Sequence, residues 1–430
     1  MMSIMINYNN IYIESEYYSK DNVPQMFIDN GYFKPVKNNY YQVKVCGIKI
    51  FKNTFYCFLP KGLNLNLSDK KLKAIIKNLF LSLIKYKNEI FLNEYEIEWL
   101  GKNNTDIQNL NLINWLIEDY INNGLYRNLE IQHQINGSGQ INWSKTIKEK
   151  TPFVNNKNLV YLELITKKKN VNKDEVITKI HNNVIKSCYE QLSWLSPKRI
   201  SIEKQFIDID KRQQIIILEK ALKTTFIDRE IKLFQNLISY LKKSYNQKIN
   251  ISILTPYFYW VWETMLKKFF NHDESLMQYM PKPYWDIENQ KIYTEQIPDI
   301  LVENKENFII LDAKYYSIKS KNKNYYPGWP SIVKQLYYNL SISYNKNISF
   351  KKMINIFLMP GKLTNKTYNY IGKTSVEGQE NNFGFIYAFS IDINLIMENY
   401  IKNLSNKNLS NKNQVLNNMI NDITILEKNI

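Results

Sequence analysis

Two aspartates and a lysine stand close enough in this sequence to do chemistry together. The segment IPDILVENKENFIILDAKYYS, residues 297–317, places Asp299 in one apolar run and Asp312 and Lys314 at the end of a second. The NKEN between the runs reads as a tight turn, so the two runs read as paired strands. Residues two apart on a strand project to one face. Asp312 and Lys314 therefore point the same way, and the hairpin brings Asp299 alongside. This set suits metal-assisted phosphodiester hydrolysis. Hard oxygen ligands hold Mg2+ and leave water positions open, the cation polarises the phosphate and acidifies a bound water, and the lysine orients that water or offsets charge on the transition state. Asp299, Asp312 and the backbone carbonyl of Ala313 are the natural ligands. A D-x-K triplet alone is common. Here an apolar strand ends in charged residues, against the usual burial of paired charge only.

Weaker candidates lie around this core. Glu263 sits in TPYFYWVWETMLKKFF, which reads as a helix with an aromatic core face. A carboxylate among those aromatics needs a partner, which a metal site supplies; the competing reading is an ordinary surface glutamate. IGKTS (371–375) contains the Gly-Lys-Thr of a phosphate loop, but the required first glycine falls on Thr367. It reads as a loop, so any NTPase is expected on a separate chain. Lys167–Lys169 reads as a solvated turn. Tyr315, Tyr316, Tyr325, Tyr326 and Trp329 would suit stacking on exposed bases, although a chain with 32 Tyr brings such clusters together by composition alone.

The elements that must hold these groups follow from periodicity. Residues 41–59 alternate as paired strands with a turn near Lys52–Asn53, ended by Pro60-Lys61-Gly62. A helix follows, capped by Ser68 or Asp69, with Leu72, Ile75, Ile76, Leu79, Phe80 and Leu83 on one face. Residues 113–124 read as a short helix stopped at Asn123-Gly124, 159–165 as an apolar strand, and 173–193 as a helix with Asp174 and Glu175 in its first turn. Residues 203–245 hold no Pro or Gly and read as helical. From 256 onward helices and strands alternate, as in a compact α/β module. NLSNK then occurs twice (403–407 and 408–412), a flexible tail ahead of a short amphipathic stretch.

The chain has 430 residues and a formal charge of +17, nearly all of it from lysine, since only Arg127, Arg199, Arg212 and Arg229 are arginines. The Tyr, Asn, Ile and Lys bias fits an AT-rich genome. The charge still favours a polyanionic partner. It is unevenly placed: residues 251–314 carry a net −4, whereas 315–375 hold ten Lys and no Asp or Glu. Three Cys make no disulfide framework or zinc pattern, and three scattered His leave little for a histidine-metal nuclease. The start lacks a basic n-region and a sustained apolar stretch, and no run approaches the roughly 20 apolar residues of a membrane span. A soluble cytoplasmic protein without membrane contact is expected.

The P-D of 298–299, the ILDAKYY of 310–316 and the preceding FYWVWE resemble the PD-(D/E)XK nuclease superfamily. The following PGWPSIVKQLYYNLSIS resembles more narrowly the LlaJI-type restriction endonuclease family, related to the nuclease subunit McrC of McrBC systems. Weaker similarity extends to INWLIEDYINNG, INWSKTIKEKTPFV and FLPKG (58–62). The resemblance implies metal ligation by Asp299 and Asp312, a catalytic Lys314, a supporting acidic role for Glu263, and active-site proximity for Lys334 and Gln335. It implies Mg2+, with Mn2+ able to substitute, double-stranded DNA as substrate, and an McrB-like GTP-hydrolysing AAA+ partner. A homodimer would serve double-strand cleavage. Lys319, Lys321, Lys323 and Lys334 are the expected DNA contacts. Two departures stand out: the insert SIKSKNKNYY before the Pro-Gly turn, and Trp329-Pro330 where small or acidic residues are the family pattern.

The fold expected is α/β. It comprises an N-terminal α+β part for DNA or partner binding (1–200), a helical connector (201–250), a C-terminal PD-(D/E)XK core of mixed sheet flanked by helices (251–402), and a tail (403–430). A non-catalytic nucleic-acid-binding or assembly subunit with a vestigial site, and a nuclease acting on RNA, remain open alternatives.

Overall fold

The computed structural model describes residues 10–428 apart from 52–53, 64–67, 102–103, 128, 156–157, 172–175, 193–201, 203–204, 245–250, 305–306, 319–321, 345–351, 362–365 and 403–408. It is a mixed α/β chain in two compact units, one built from Thr105–Lys248 and the other from Met5–Asn104 with Ile249–Ile430. One boundary, Lys248–Ile249, falls next to the expected start of the C-terminal part at 251. Among the described residues no helix is long and apolar enough to cross a membrane. Cys46, Cys57 and Cys188 are free and buried.

The larger unit begins with β1 (Ile11–Ile13), β2 (Tyr17–Ser19), α1 (Gln25–Asp29), β3 (Phe33–Pro35), β4 (Tyr40–Val43), β5 (Cys46–Phe51) and β6 (Thr54–Leu59). The expected hairpin is β5–β6, antiparallel with Phe51 opposite Thr54; its turn at 52–53 lies outside the described residues. β1 adds in parallel to β6, and β2, β4 and β3 form a separate antiparallel ribbon. Tyr12, Phe27, Phe33 and Phe58 fill the core beneath. Helix α2 (Asp69–Glu89) follows Ser68 and buries the six apolar residues read from the sequence. A single turn, α3 (Glu94–Glu96), carries a capping box from Asn93.

The smaller unit holds α4 (Asn104–Asn123), β7 (Leu129–Ile135), β8 (Gln140–Ile141), α5 (Trp143–Glu149), β9 (Phe153–Asn155), β10 (Asn158–Val160), β11 (Ile165–Val171), α6 (Val176–Leu192), α7 (Lys211–Thr224) and α8 (Asp228–Ser244). Three expectations need correction here. The helix ending at Asn123 starts nine residues earlier than read. The run 159–165 is not one strand, because the Asn136 side chain takes the Leu164 N–H and donates to the Leu162 carbonyl, holding 161–164 out of a ladder. Lys167–Lys169 lie within β11, paired with β7, not in a turn. Helices α7 and α8 pack on each other and on α6 inside this unit. Asp174 and Glu175 fall outside the described residues.

The chain returns to the larger unit with β12 (Ile251–Thr255), antiparallel to β5. This pairing requires Gly47: at φ +135°, an added Cβ would sit 2.0 Å from the Ile253 carbonyl oxygen. Next come α9 (Phe258–Phe269), the exposed hairpin β13 (Tyr284–Ile287) and β14 (Gln290–Tyr293), β15 (Ile300–Asn304), β16 (Asn307–Ala313), α10 (Trp329–Ser343), β17 (Lys352–Gly361), β18 (Tyr368–Thr374), α11 (Glu380–Phe383), β19 (Ile386–Asp392), α12 (Ile393–Ile401) and α13 (Leu409–Lys428). The five-stranded sheet runs β15-β16-β17-β19-β18, parallel from β16 through β17 to β19 and antiparallel at both edges. Phe308 to Asp312 are buried on both faces, the usual signature of a covered parallel strand. Phe308 and Ile310 meet Tyr338 and Ile342 of α10, while α9 also packs on β16.

Two further readings change. IGKTS is not a loop; it lies in edge strand β18 but for its final Ser375. The tail is not a flexible segment with a short helix over its described part. Helix α13 spans 20 residues and buries Leu416, Met419 and Ile423. It is also tied down by Tyr368 donating to Asp422 and Tyr387 to Glu427. The rest of the NLSNK repeat, 403–408, lies outside the described residues.

Candidate active site

The carboxyl end of β16 carries the chemistry read from the sequence. Ile300 pairs with Leu311 across β15–β16, so Asp299, one residue ahead of β15, arrives beside the end of β16. Its Oδ2 accepts the Ala313 N–H at 2.9 Å. Asp312 is 5 % exposed, and its Oδ2 lies 2.8 Å from Lys314 Nζ. The Lys314 ammonium also rests 5.6 Å from the centre of the Phe357 ring. Its backbone N–H donates to Leu358, extending the β16–β17 ladder by one residue. The register fixes all of this: Asp312 and Lys314 share a face because the strand period is two, and Phe357 is the residue opposite Asp312 on β17.

Electrostatics make the carboxylate pair unusual. Burial pushes Asp299 well above the ordinary carboxylate range, the Asp312 carboxylate beside it pushes further, and the Ala313 N–H and Lys314 oppose only in part. Two like charges held together out of water favour one proton between them. Lys334 of α10 faces the same cluster. Burial lowers its proton affinity, but Tyr338 and then Asp299 and Asp312 outweigh that and hold it above its usual value. Lys334 is exposed on the helix while Tyr338 donates to the Ile297 carbonyl at 3.1 Å, fixing α10 against the approach to Asp299.

The other expected site residues separate from this cluster. Glu263 is not buried as read: it is 29 % exposed and takes Lys267 Nζ at 2.6 Å one turn along α9. Its charge bears on Tyr86 of α2. The buried stripe of α9 runs through Phe258, Val261, Trp262, Met265, Leu266 and Phe269, and Glu263 falls beside that stripe. Gln335 is fully buried and donates to the Ile310 carbonyl at 3.1 Å and to Asn355 at 3.4 Å. It braces α10 on β16 two residues before Asp312, which makes it a positioning residue. Lys323 is exposed on the single turn Lys323–Tyr325; Lys319 and Lys321 lie outside the described residues. Trp329-Pro330 opens α10 behind Gly328, where proline in the first turn loses no helix hydrogen bond.

Tyr315 is not a free stacking platform. Its ring is buried against Phe258, and its hydroxyl donates to Glu14 Oε2 at 2.6 Å while accepting the Lys61 N–H at 2.9 Å. Burial and then Glu14 hold the phenol well above its usual value. Lys61 Nζ lies 3.8 Å from Glu14 Oε1. Gly62 makes the approach possible: at φ +86°, an added Cβ would meet the Pro360 oxygen at 2.7 Å. The N-terminal sheet thus abuts the end of β16. Sequence reasoning missed Glu14 and the burial of Tyr315, although FLPKG already contained Lys61 and Gly62.

Among the described residues, no group of three or more His, Cys, Asp or Glu is spaced to hold a metal ion. The two carboxylates nevertheless fit Mg2+. That ion takes one or two carboxylates and completes its shell with water and substrate phosphate oxygens, and a like-charge pair is what a dication relieves. Asp299 and Asp312 would hold it, beside the Ala313 carbonyl at the strand end.

Residues 45–397 match the family model described as LlaJI restriction endonuclease. The chain is 27 % identical over 348 residues to the Type II restriction enzyme BsuMI component YdjA of Bacillus subtilis (strain 168), covering 74 % of this chain and 72 % of that protein. Among solved structures it is similar to a refined half-complex of Thermococcus gammatolerans McrB AAA+ hexamers with bound McrC, at 12 % identity, 91 % and 98 % coverage and a TM-score of 0.35. A second similarity, to the Thermococcus gammatolerans McrBC complex, has 10 % identity, 54 % and 79 % coverage and a TM-score of 0.20.

Proposed function

The chain belongs to the LlaJI restriction endonuclease family, and from that premise we propose that it is a Mg2+-dependent DNA endonuclease of the PD-(D/E)XK type, acting as the nuclease subunit of a restriction system. One observation carries the reading: Asp299, Asp312 and Lys314 converge at one strand end, through the 2.9 Å Ala313–Asp299 hydrogen bond and the 2.8 Å Asp312–Lys314 ion pair. A bound Mg2+ supplies Lewis acidity and a water of lowered pKa. Asp312, fixed in a parallel strand, and Asp299, fixed by the Ala313 N–H, would hold that ion. Lys314 is held on the same side, so its ammonium orients the attacking water and offsets charge on the phosphoryl oxygens. Lys334 adds a second cation for an adjacent phosphate.

Partner chemistry belongs to the same proposal. The Gly-Lys-Thr of this chain is built into edge strand β18 and lacks the first glycine of a phosphate loop. GTP hydrolysis and translocation would then come from an McrB-like AAA+ subunit, and the curated relative is itself described as one component of a restriction enzyme.

The test is cleavage of double-stranded DNA with Mg2+, with and without the partner chain and GTP. Asp312→Asn and Lys314→Ala are expected to lower the rate by at least about a hundredfold while leaving DNA binding largely intact. Wild-type rates in both variants would overturn the nuclease reading and leave a binding or assembly subunit. Faster cutting of a matched RNA duplex would move the substrate to RNA.

A further inference from the structure

Lys34 on the β2–β4–β3 ribbon, Lys44 just past β4 and Lys61 just past β6 belong to the N-terminal part that reaches Tyr315, the residue after Lys314. Lys34 on β3 stands directly opposite Gln42 on β4. Lys44 lies two residues beyond Gln42, just past β4, and its Nζ donates to Gln42 Oε1 at 2.6 Å. Gln42 in turn donates to the Ser15 carbonyl at 3.1 Å, next to Glu14. Lys61, at the end of β6, completes the set, with its Nζ 3.4 Å from the Tyr315 carbonyl and 4.7 Å from the centre of that ring.

Carboxylate is scarce in this group. Burial lowers the proton affinity of Lys44, the Lys34 and Lys61 charges lower it further, and only Glu14 opposes them. Glu14 is itself buried and already accepts the Tyr315 hydroxyl. The Lys44 and Lys61 ammonium groups are thus held near one shared, buried anion, at the point where the chain leaves Lys314, and the Lys34 charge stands beside Lys44. Lys44 is fixed by its Gln42 acceptor and Lys61 by Glu14 and the Tyr315 carbonyl, while Lys34 is placed by strand register. Lysine side chains fixed beside a reacting centre position a nucleic-acid backbone without reading its sequence.

We infer that Lys34, Lys44 and Lys61 form a phosphate-gripping strip that seats the backbone of the DNA duplex as it enters the Asp299–Asp312–Lys314 site. The strip deepens the nuclease reading and rests on it for the identity of the polyanion. It gives the N-terminal ribbon a share in substrate binding and predicts a grip that is indifferent to base sequence.

The test uses the full chain in a cleavage-inactive Asp312→Asn background, with a labelled DNA duplex titrated by fluorescence anisotropy over a KCl series. Each phosphate contact contributes about 0.9 to the slope of log K against log salt. K34Q and K44Q are each expected to flatten that slope by about 0.9 and to weaken binding about fivefold at 0.15 M salt. K44R is expected to restore both, and two unrelated duplex sequences to lose affinity equally. K73Q, on the exposed side of α2, is the charge-matched control and should leave the slope unchanged. Unchanged slopes in K34Q and K44Q overturn the strip, and so does an equal change in K73Q, since the effect is then one of net charge. Failure of the nuclease reading is separately visible, as wild-type cleavage by Asp312→Asn itself.

Discussion

Two charged groups meet at the end of β16 and carry opposite imbalances. On one side Asp299 and Asp312 crowd two carboxylates together beside Lys314. On the other, a single residue further along the chain, Tyr315 leads to Glu14 and to the lysines of the N-terminal part. Both groups are partly buried and both are built on strand ends. One has more anion than its cation balances and suits a divalent metal; the other has more cation than its anion balances and suits phosphate. Neither imbalance follows from residue type. Glu263, a carboxylate on an equally aromatic element, is simply neutralised by Lys267. An acidic side chain gains chemical character here only where register denies it a private partner.

The sharpest way to break this contrast is to titrate the acidic side. Because burial and Asp312 raise Asp299 above its ordinary value of 3.8, the folded chain keeps that proton at pH values where the unfolded chain has lost it. The contribution of this group to stability therefore falls as pH rises from the ordinary carboxylate value to the raised one, and is constant above. A dication competes with the same proton, so stabilisation by Mg2+ should grow with pH across that window. It should reach about 2.7 kcal/mol at a hundredfold excess over Kd. Thermal unfolding with and without Mg2+ measures it. Asp299→Asn should remove most of the gain at every pH; a gain that persists unchanged in that variant would separate the metal from this pair.

A smaller effect should distinguish the second group. Tyr315→Phe leaves the buried Glu14 carboxylate and the Lys61 N–H without the shared hydroxyl, which should cost about 1–3 kcal/mol in urea unfolding. Its gain from Mg2+ should match that of the parent. If the two losses instead move together, the groups are one coupled unit and the contrast collapses. The smallest effect is expected at Glu263. Its ion pair with Lys267 is partly exposed and lies one helical turn apart, so Glu263→Ala should change stability by less than about 0.5 kcal/mol. Cleavage and the Mg2+ gain should both stay at parent values.

The legible parts of this molecule are those governed by short periods. The buried stripe of α2, the β5–β6 hairpin and the shared face of Asp312 and Lys314 all follow from residues two, three or four apart. Errors arose where a distant or side-chain partner intervened. Asn136 takes the backbone groups that would have continued a strand at 161–164. Leu416, Met419 and Ile423 repeat at helical spacing in a segment read as a flexible tail, but only their burial in the larger unit establishes that α13 is docked. Glu263 lies among aromatics in sequence, yet it falls beside the buried stripe of α9 and pairs with Lys267 one turn along the same helix.

By itself, then, the sequence determined that Asp299, Asp312 and Lys314 come together and which strands carry them, because strand alternation is a local property that each residue obeys wherever the sheet lies. It also determined that the charge balance changes sign just past Lys314. Tertiary structure alone decided what faces that trio. Glu14 reaches Tyr315 across 301 positions of chain, and Gly62 lets the N-terminal sheet approach Pro360 closely enough for that bond to form. Such contacts depend on how separate sheets abut, and no spacing of residues along the chain encodes a distance between two sheets.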